Sequence, residues 1–118
     1  MQDTQKNLYK KLLGREGELK AVKVLKKQGY KILDKNAKNT FAEIDIIAKK
    51  DEELYFCEVK TRTSDSFGTP AMAVDNKKIA KYRAFAENYI QRTGYDGIVH
   101  FMVIEVYLDK INVIKDAF

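Results

Sequence analysis

Asp45, Glu58 and Lys60 are the residues of this chain whose types and spacing could do chemistry: an aspartate, a dozen intervening residues, then Glu-x-Lys. Side chains of an extended segment alternate faces, so Glu43 and Asp45 share a face with Phe41 and Ile47, while Glu58 and Lys60 share one with Leu54 and Phe56. If the two segments close as a hairpin with Ala48 beside Tyr55, Asp45 falls opposite Glu58 and Glu43 opposite Lys60. Glu18 adds a carboxylate from the apolar stripe of a helical segment upstream. Charges taken out of water are costly unless paired, and one lysine does not balance four acids. A hard divalent cation does. Mg²⁺, or Mn²⁺ in its place, is commonly held by one or two carboxylates together with phosphate oxygens, which makes Asp45 and Glu58 the expected ligands and Glu18 a third. Such an ion polarises a phosphodiester and activates water, and a neighbouring lysine stabilises charge developing on phosphorus. That role falls to Lys60, with Glu43 orienting it. The competing reading is a salt-bridge network that binds nothing, and the surplus of acids argues against it.

These residues need elements to position them. The stretch from about Leu8 to Gln28 has helical periodicity, with Ala21, Val22 and Leu25 on the stripe that also carries Glu18, and Gly29 marks its end. Strands are predicted near Tyr30 to Leu33, from Phe41 to Ala48 and from Leu54 to Lys60, the last two joined by a charged turn. Thr63 to Ala73 reads as a loop, and Val74 to Ile90 as a second helix with Tyr82, Phe85 and Tyr89 on a core stripe. Ile98 to Tyr107 and Ile111 to Ile114 close the chain as strands across a short turn. That order predicts an α/β domain, a mixed central sheet of about five strands flanked by helices, in which the second helix is the crossover. At 118 residues the chain forms a single domain.

Composition narrows the chemistry. Cys57 is the only cysteine and His100 the only histidine, so no internal disulfide or Cys/His zinc site can be drawn and any metal must be held by oxygen. No stretch approaches the roughly 18 apolar residues of a membrane span, and the N-terminus lacks an apolar signal core, so a cytoplasmic protein without a membrane partner is expected. The net charge is +5, and residues 1–40 hold eleven Lys/Arg against four Asp/Glu. The basic end is the candidate surface for nucleic acid, with Lys20, Lys23 and Lys27 clustered away from the apolar stripe. The same three lysines would also suit an ordinary solvated helix face.

A wider set of residues carries a family resemblance. It comprises Gly14, Glu18, Ala21, Gly29-Tyr30, Asn36, Glu43-Ile44-Asp45-Ile46-Ile47, Phe56, Glu58-Val59-Lys60-Thr61-Arg62, Phe67-Gly68, Pro70, Ala73-Val74 and Lys78. On these the chain resembles, from about Gly14 to Val106, the YraN family of bacterial endonuclease-like proteins. That family is classed with the PD-(D/E)XK nuclease superfamily and is similar to archaeal Holliday junction resolvases. The resemblance implies a restriction-endonuclease-like fold, Asp45 and Glu58 as metal ligands, Lys60 as the catalytic lysine and Glu18 as the helix acid. The activity expected is a metal-dependent DNA endonuclease, acting on branched or damaged DNA in repair or recombination. A non-catalytic nucleic-acid-binding module or an accessory subunit is the alternative. Thr61, Arg62 and Lys78 are then candidate contacts to nucleic acid, and cutting a junction calls for two sites, hence a homodimer. The chain departs from the family at Ala42, where glycine is usual, and at His100-Phe101-Met102, where Arg-Phe-Asp is usual. Neither departure removes a proposed ligand.

Overall fold

A computed structural model describes residues 2–63 and 76–118. Helix α1 spans Gln2–Lys27, starting earlier than the apolar periodicity, and only its second half reaches the core, through Gly17, Ala21 and Leu25. It stops in a Schellman motif. Gly29 takes φ 92°, its N–H donates to Lys26 O at 3.1 Å and the Tyr30 N–H to Leu25 O at 2.9 Å, while Tyr30 and Leu25 share the core.

Five strands follow: β1 (Lys31–Lys38), β2 (Glu43–Lys50), β3 (Glu53–Thr61), β4 (Val99–Tyr107) and β5 (Lys110–Ile114), with α2 (Asn76–Thr93) between β3 and β4. They form one sheet in the order β1-β2-β3-β4-β5, antiparallel except for the parallel β3–β4 pair. The parallel pair requires a crossover, and α2 lies within it. The loop expected from Thr63 to Ala73 and the start of the second helix at Val74 fall, but for Thr63, outside the described residues. The β2–β3 turn is two residues, Asp51 and Glu52, both at positive φ, as the tightest hairpins require.

Helices cover both faces. Against α1 lie Ile46, Ala48, Tyr55, Cys57, Met102, Ile104 and Val106; against α2 lie Ile47, Leu54, Phe56 and Phe101, packed on Tyr82, Phe85 and Ala86. Tyr82 and Phe85 therefore sit in the core as their spacing predicts, and Cys57 is a buried thiol whose pKa burial pushes up. Among the described residues no helix is long and apolar enough to cross a membrane.

One part of the pattern breaks. Strict alternation puts Ile44 on the Ile46 face, yet Ile44 packs with Ile47 on the α2 side. The β1–β2 ladder shifts register between Ile32 and Asp34, and Asn36 of β1, next to the pair Ala37↔Ile44, takes φ 51°. A register shift and a left-handed residue in β1 make the pair less regular than the flat ladder that counting by two assumes.

Candidate functional site

The site lies where β2 and β3 part. Their ladder runs from Lys50↔Glu53 through Ala48↔Tyr55, the expected register, and ends at Ile46↔Cys57. Asp45 is therefore not the ladder partner of Glu58, nor Glu43 of Lys60, because the strands separate before either pair can form. Asp45 turns its carboxylate into the gap instead, and its Oδ2 accepts the Val59 N–H at 2.8 Å. That bond satisfies a backbone donor the ladder has left unpaired.

Asp45 is the electrostatic centre of the cluster. Burial pushes its carboxyl up to about 6, the Val59 hydrogen bond opposes the rise, and the charges of Glu18, Glu58 and Glu43 add to it. The three glutamates thus lie close enough to act on Asp45. Glu18 reaches the site because α1 lies directly on the end of β3: a Cβ on Gly17 would meet Thr61 Oγ1 at 2.6 Å. Glu18 Oε2 accepts a hydrogen bond from Asn36 Nδ2 at 3.2 Å, so α1 and the distorted point of β1 meet beside Asp45.

Glu58 is buried and ion-paired to Lys78 through Oε1, while its Oε2 is buried with no hydrogen-bond partner among the described residues. The lysine beside Glu58 is therefore Lys78, from the second helix. Lys60 leaves β3 two residues after Glu58 and, among the described residues, has no hydrogen-bond or ion-pair partner, Glu43 included. Lys78 also stands over the Tyr82 ring, 5.6 Å from its centroid. The Tyr82 hydroxyl is held above the ordinary tyrosine range by burial first and then by Glu58, Asp45 and Glu43, which places it at the same cluster.

Beside these acids opens a cleft of about 470 Å³ lined by Phe41, Ala42, Glu43, Lys77, Lys78, Lys81 and Tyr82. Lys77 and Lys81 escape a motif-led reading because they match no pattern. Their signal is helical spacing, which sets them one turn apart next to Lys78.

The remaining candidates are placed as follows. Arg62 Nε donates to Glu105 Oε2 at 2.9 Å, and Asn112 Nδ2 donates to Glu105 Oε1 at 2.9 Å. Glu105 is fully buried and stands beside Lys60 in the β3–β4 register. An acid inside the run Met102 to Val106 is the sequence signal for it. Thr61 is exposed at the end of β3 beneath Gly17. Lys20 is turned away from the site: its Nζ donates to Leu108 O at 2.8 Å and lies 3.7 Å from Asp109 Oδ1, while Lys23 and Lys27 are exposed.

The chain can now be set beside known proteins. The model of the uncharacterised protein family UPF0102 matches residues 17–113, a span that includes Glu18, Asp45, Glu58, Lys60, Lys78 and Glu105. The chain belongs to the UPF0102 family, the YraN family. A UPF0102 protein of Caldicellulosiruptor saccharolyticus is 42% identical over 94% of this chain and 100% of its own length. One from Caldanaerobacter subterraneus subsp. tengcongensis is 43% identical over 96% and 99%, and one from Fusobacterium nucleatum is 43% identical over 88% of each chain. The five-stranded mixed sheet of this UPF0102 chain is consistent with a nuclease-like fold.

The fit of a divalent ion rests on the donors present. Among the described residues no group of three or more Asp, Glu, His or Cys side chains is arranged to hold a metal. A Mg²⁺ ion that keeps water and phosphate ligands needs only one or two carboxylates. The unpartnered, buried Glu58 Oε2 and the desolvated Asp45 carboxyl, crowded by three other acids, are donors of that kind. The residues fit.

Proposed function

We propose that this UPF0102 protein is a divalent-metal-dependent nuclease that hydrolyses phosphodiesters in DNA. The observation that carries this reading is the buried, unpartnered Glu58 Oε2 beside an Asp45 carboxyl lifted to about 6. Crowding acids against desolvation is unfavourable unless a cation is to be bound, and perturbed carboxyls in a cleft mark functional sites.

Asp45 and Glu58 would hold Mg²⁺ or Mn²⁺, with Glu18 and Asn36 on the α1 side of Asp45. When bound, the ion would neutralise the acids, polarise a phosphoryl oxygen and make water a stronger nucleophile. Lys60, with no partner among the described residues, supplies positive charge where a phosphate gains negative charge. The Val59 N–H fixes one Asp45 oxygen, so the carboxylate presents its other lone pairs without reorganising. Lys77, Lys78 and Lys81 line the adjoining cleft and suit a phosphate backbone.

The Lys78–Glu58 pair favours a second reading, a nucleic-acid-binding module that does not turn over, because an internal cation already sits on one ligand. A cleavage screen separates the two. Linear, nicked, flapped and four-way-junction DNA are incubated with Mg²⁺ or Mn²⁺, with Asp45→Ala as the contamination control. Metal-dependent cleavage absent in Asp45→Ala supports the nuclease; binding without cleavage of any substrate supports the module. Two cuts on a junction would further require two chains acting together, which sedimentation of the complex would reveal.

A further inference from the structure

We infer that Lys78 is an internal cation that competes with the metal for Glu58 and, once displaced, becomes one of the phosphate-gripping lysines of the adjoining cleft. The inference rests on the metal-site reading and gives that site a coupling between metal and substrate.

Three observations meet at this side chain. Lys78 is paired with Glu58 Oε1 while Oε2 of the same carboxylate is buried without a partner among the described residues, so the lysine satisfies half of an acid that an ion would bind. A divalent ion at Glu58 and an ammonium on the same carboxylate repel, and the stronger charge with the larger coordination demand wins. Lys78 also lines the cleft, together with Lys77 and Lys81, and its side chain is 35% exposed, so a path into the cleft is open. A lysine is a flexible point charge and relocates at small conformational cost.

The destination is suited to an anion. Among the described residues the cleft carries three lysines and a single acid, Glu43, and Lys77 and Lys81 stand one helical turn apart, where like charges repel in the absence of a ligand. Phe41 and Tyr82 give it apolar walls. A phosphodiester backbone supplies the missing negative charge, and the acids lie at the cleft edge through Glu43 and through the Lys78 contact to Glu58. Metal at Glu58 then adds a third cation to the backbone site, and linkage makes the effect reciprocal: DNA in the cleft holds Lys78 away from Glu58 and tightens the metal.

The test is Mn²⁺ titration by calorimetry at pH 8, in a Lys60→Ala background so that no substrate is consumed. Chains with Lys78 intact, Lys78→Gln and Lys78→Arg are compared, with Asp45→Asn as the site control. Lys78→Gln should bind Mn²⁺ tighter by on the order of tenfold, and Lys78→Arg should resemble the intact chain. The affinity for a short DNA duplex should rise with Mn²⁺ in the intact chain and rise far less in Lys78→Gln. Mn²⁺ uptake abolished by Asp45→Asn but indifferent to Lys78 overturns this inference and leaves the metal site standing. No Mn²⁺ uptake by any of the chains overturns the metal reading and the inference together. Tighter Mn²⁺ in Lys78→Gln with DNA affinity unresponsive to Mn²⁺ in both overturns the phosphate half.

Discussion

Asp45→Asn should make the metal-free protein more stable at neutral pH while destroying its metal site. The asparagine Oδ1 can still accept the Val59 N–H that Asp45 Oδ2 accepts at 2.8 Å, so the change removes a charge and keeps the bond. Burial and the charges of Glu18, Glu58 and Glu43 lift the Asp45 carboxyl from its ordinary 3.8 to about 6, against the pull of the Val59 bond. The folded state therefore binds the proton more tightly than the unfolded state, and wild-type stability falls as pH rises from the unfolded value through about 6. Full conversion of that shift gives about 3 kcal/mol, and solvent screening at this half-buried position reduces it to about 1–2 kcal/mol. Urea unfolding in chelator should find Asp45→Asn more stable than wild type by that amount at pH 7.5, with the gap closing toward pH 4. A mutant less stable than wild type at pH 7.5, or a gap that does not change with pH, would refute the placement of Asp45 among uncompensated acids.

Glu58→Gln should shift stability the other way, by about 1 kcal/mol in chelator, because it removes the carboxylate charge that pairs with the Lys78 ammonium; thermal unfolding beside Lys78→Gln checks it. Arg62→Ala should cost about 3 kcal/mol in urea unfolding, since it leaves the fully buried Glu105 with one of its hydrogen-bond donors gone. A neutral result there would return Arg62 to the nucleic-acid surface. Burial alone would lower the pKa of His100, but hydrogen bonds to Asp116 at 2.7 Å and Glu53 at 3.0 Å outweigh it and raise it. Its contribution is thus full below the unfolded value and lost as pH rises through the folded one, so His100→Gln should flatten the fall in Tm above about pH 6.5. Salt dependence separates the basic faces: neutralising Lys77 and Lys81 should make the slope of DNA affinity against salt shallower by about 2, and neutralising Lys23 and Lys27 should leave it unchanged.

What the sequence reveals of this site is what local rules decide. The Asp51-Glu52 turn fixes the β2–β3 register, because a two-residue turn leaves the strands one way to pair, and Ala48↔Tyr55 follows from it. Gly29 ends α1 by a motif contained within six residues, so the helix stops where periodicity says it should. The start of α1 is less legible: its first turns carry Leu8, Tyr9 and Leu12 exposed, and no apolar stripe announces a segment that packs on nothing among the described residues. The face of Ile44 is misjudged for a different reason. Counting by two assumes an unbroken ladder, and no local pattern announces the register shift between Ile32 and Asp34 or the left-handed Asn36 in the neighbouring strand.

The same distinction explains the charges. Glu58 and Lys60 stand two residues apart on one strand, and the sequence sets Asp45 opposite the first and Glu43 opposite the second. Residues so spaced on a strand share a face but stand one pleat apart, while Lys78, twenty residues on in sequence, is brought over the sheet by the crossover helix. Its arrival divides the acids into one that is compensated, Glu58, and one that is not, Asp45. Charge counting from sequence finds the surplus of acids but does not say which carboxylate carries it, since pairing is a tertiary fact and the sum is not. The two neutralising substitutions must therefore differ in sign, although each removes one negative charge from the same cluster. Equal effects of Asp45→Asn and Glu58→Gln on metal-free stability would mean that the Lys78 contact contributes nothing in solution, and the competition between Lys78 and a metal would lose its basis.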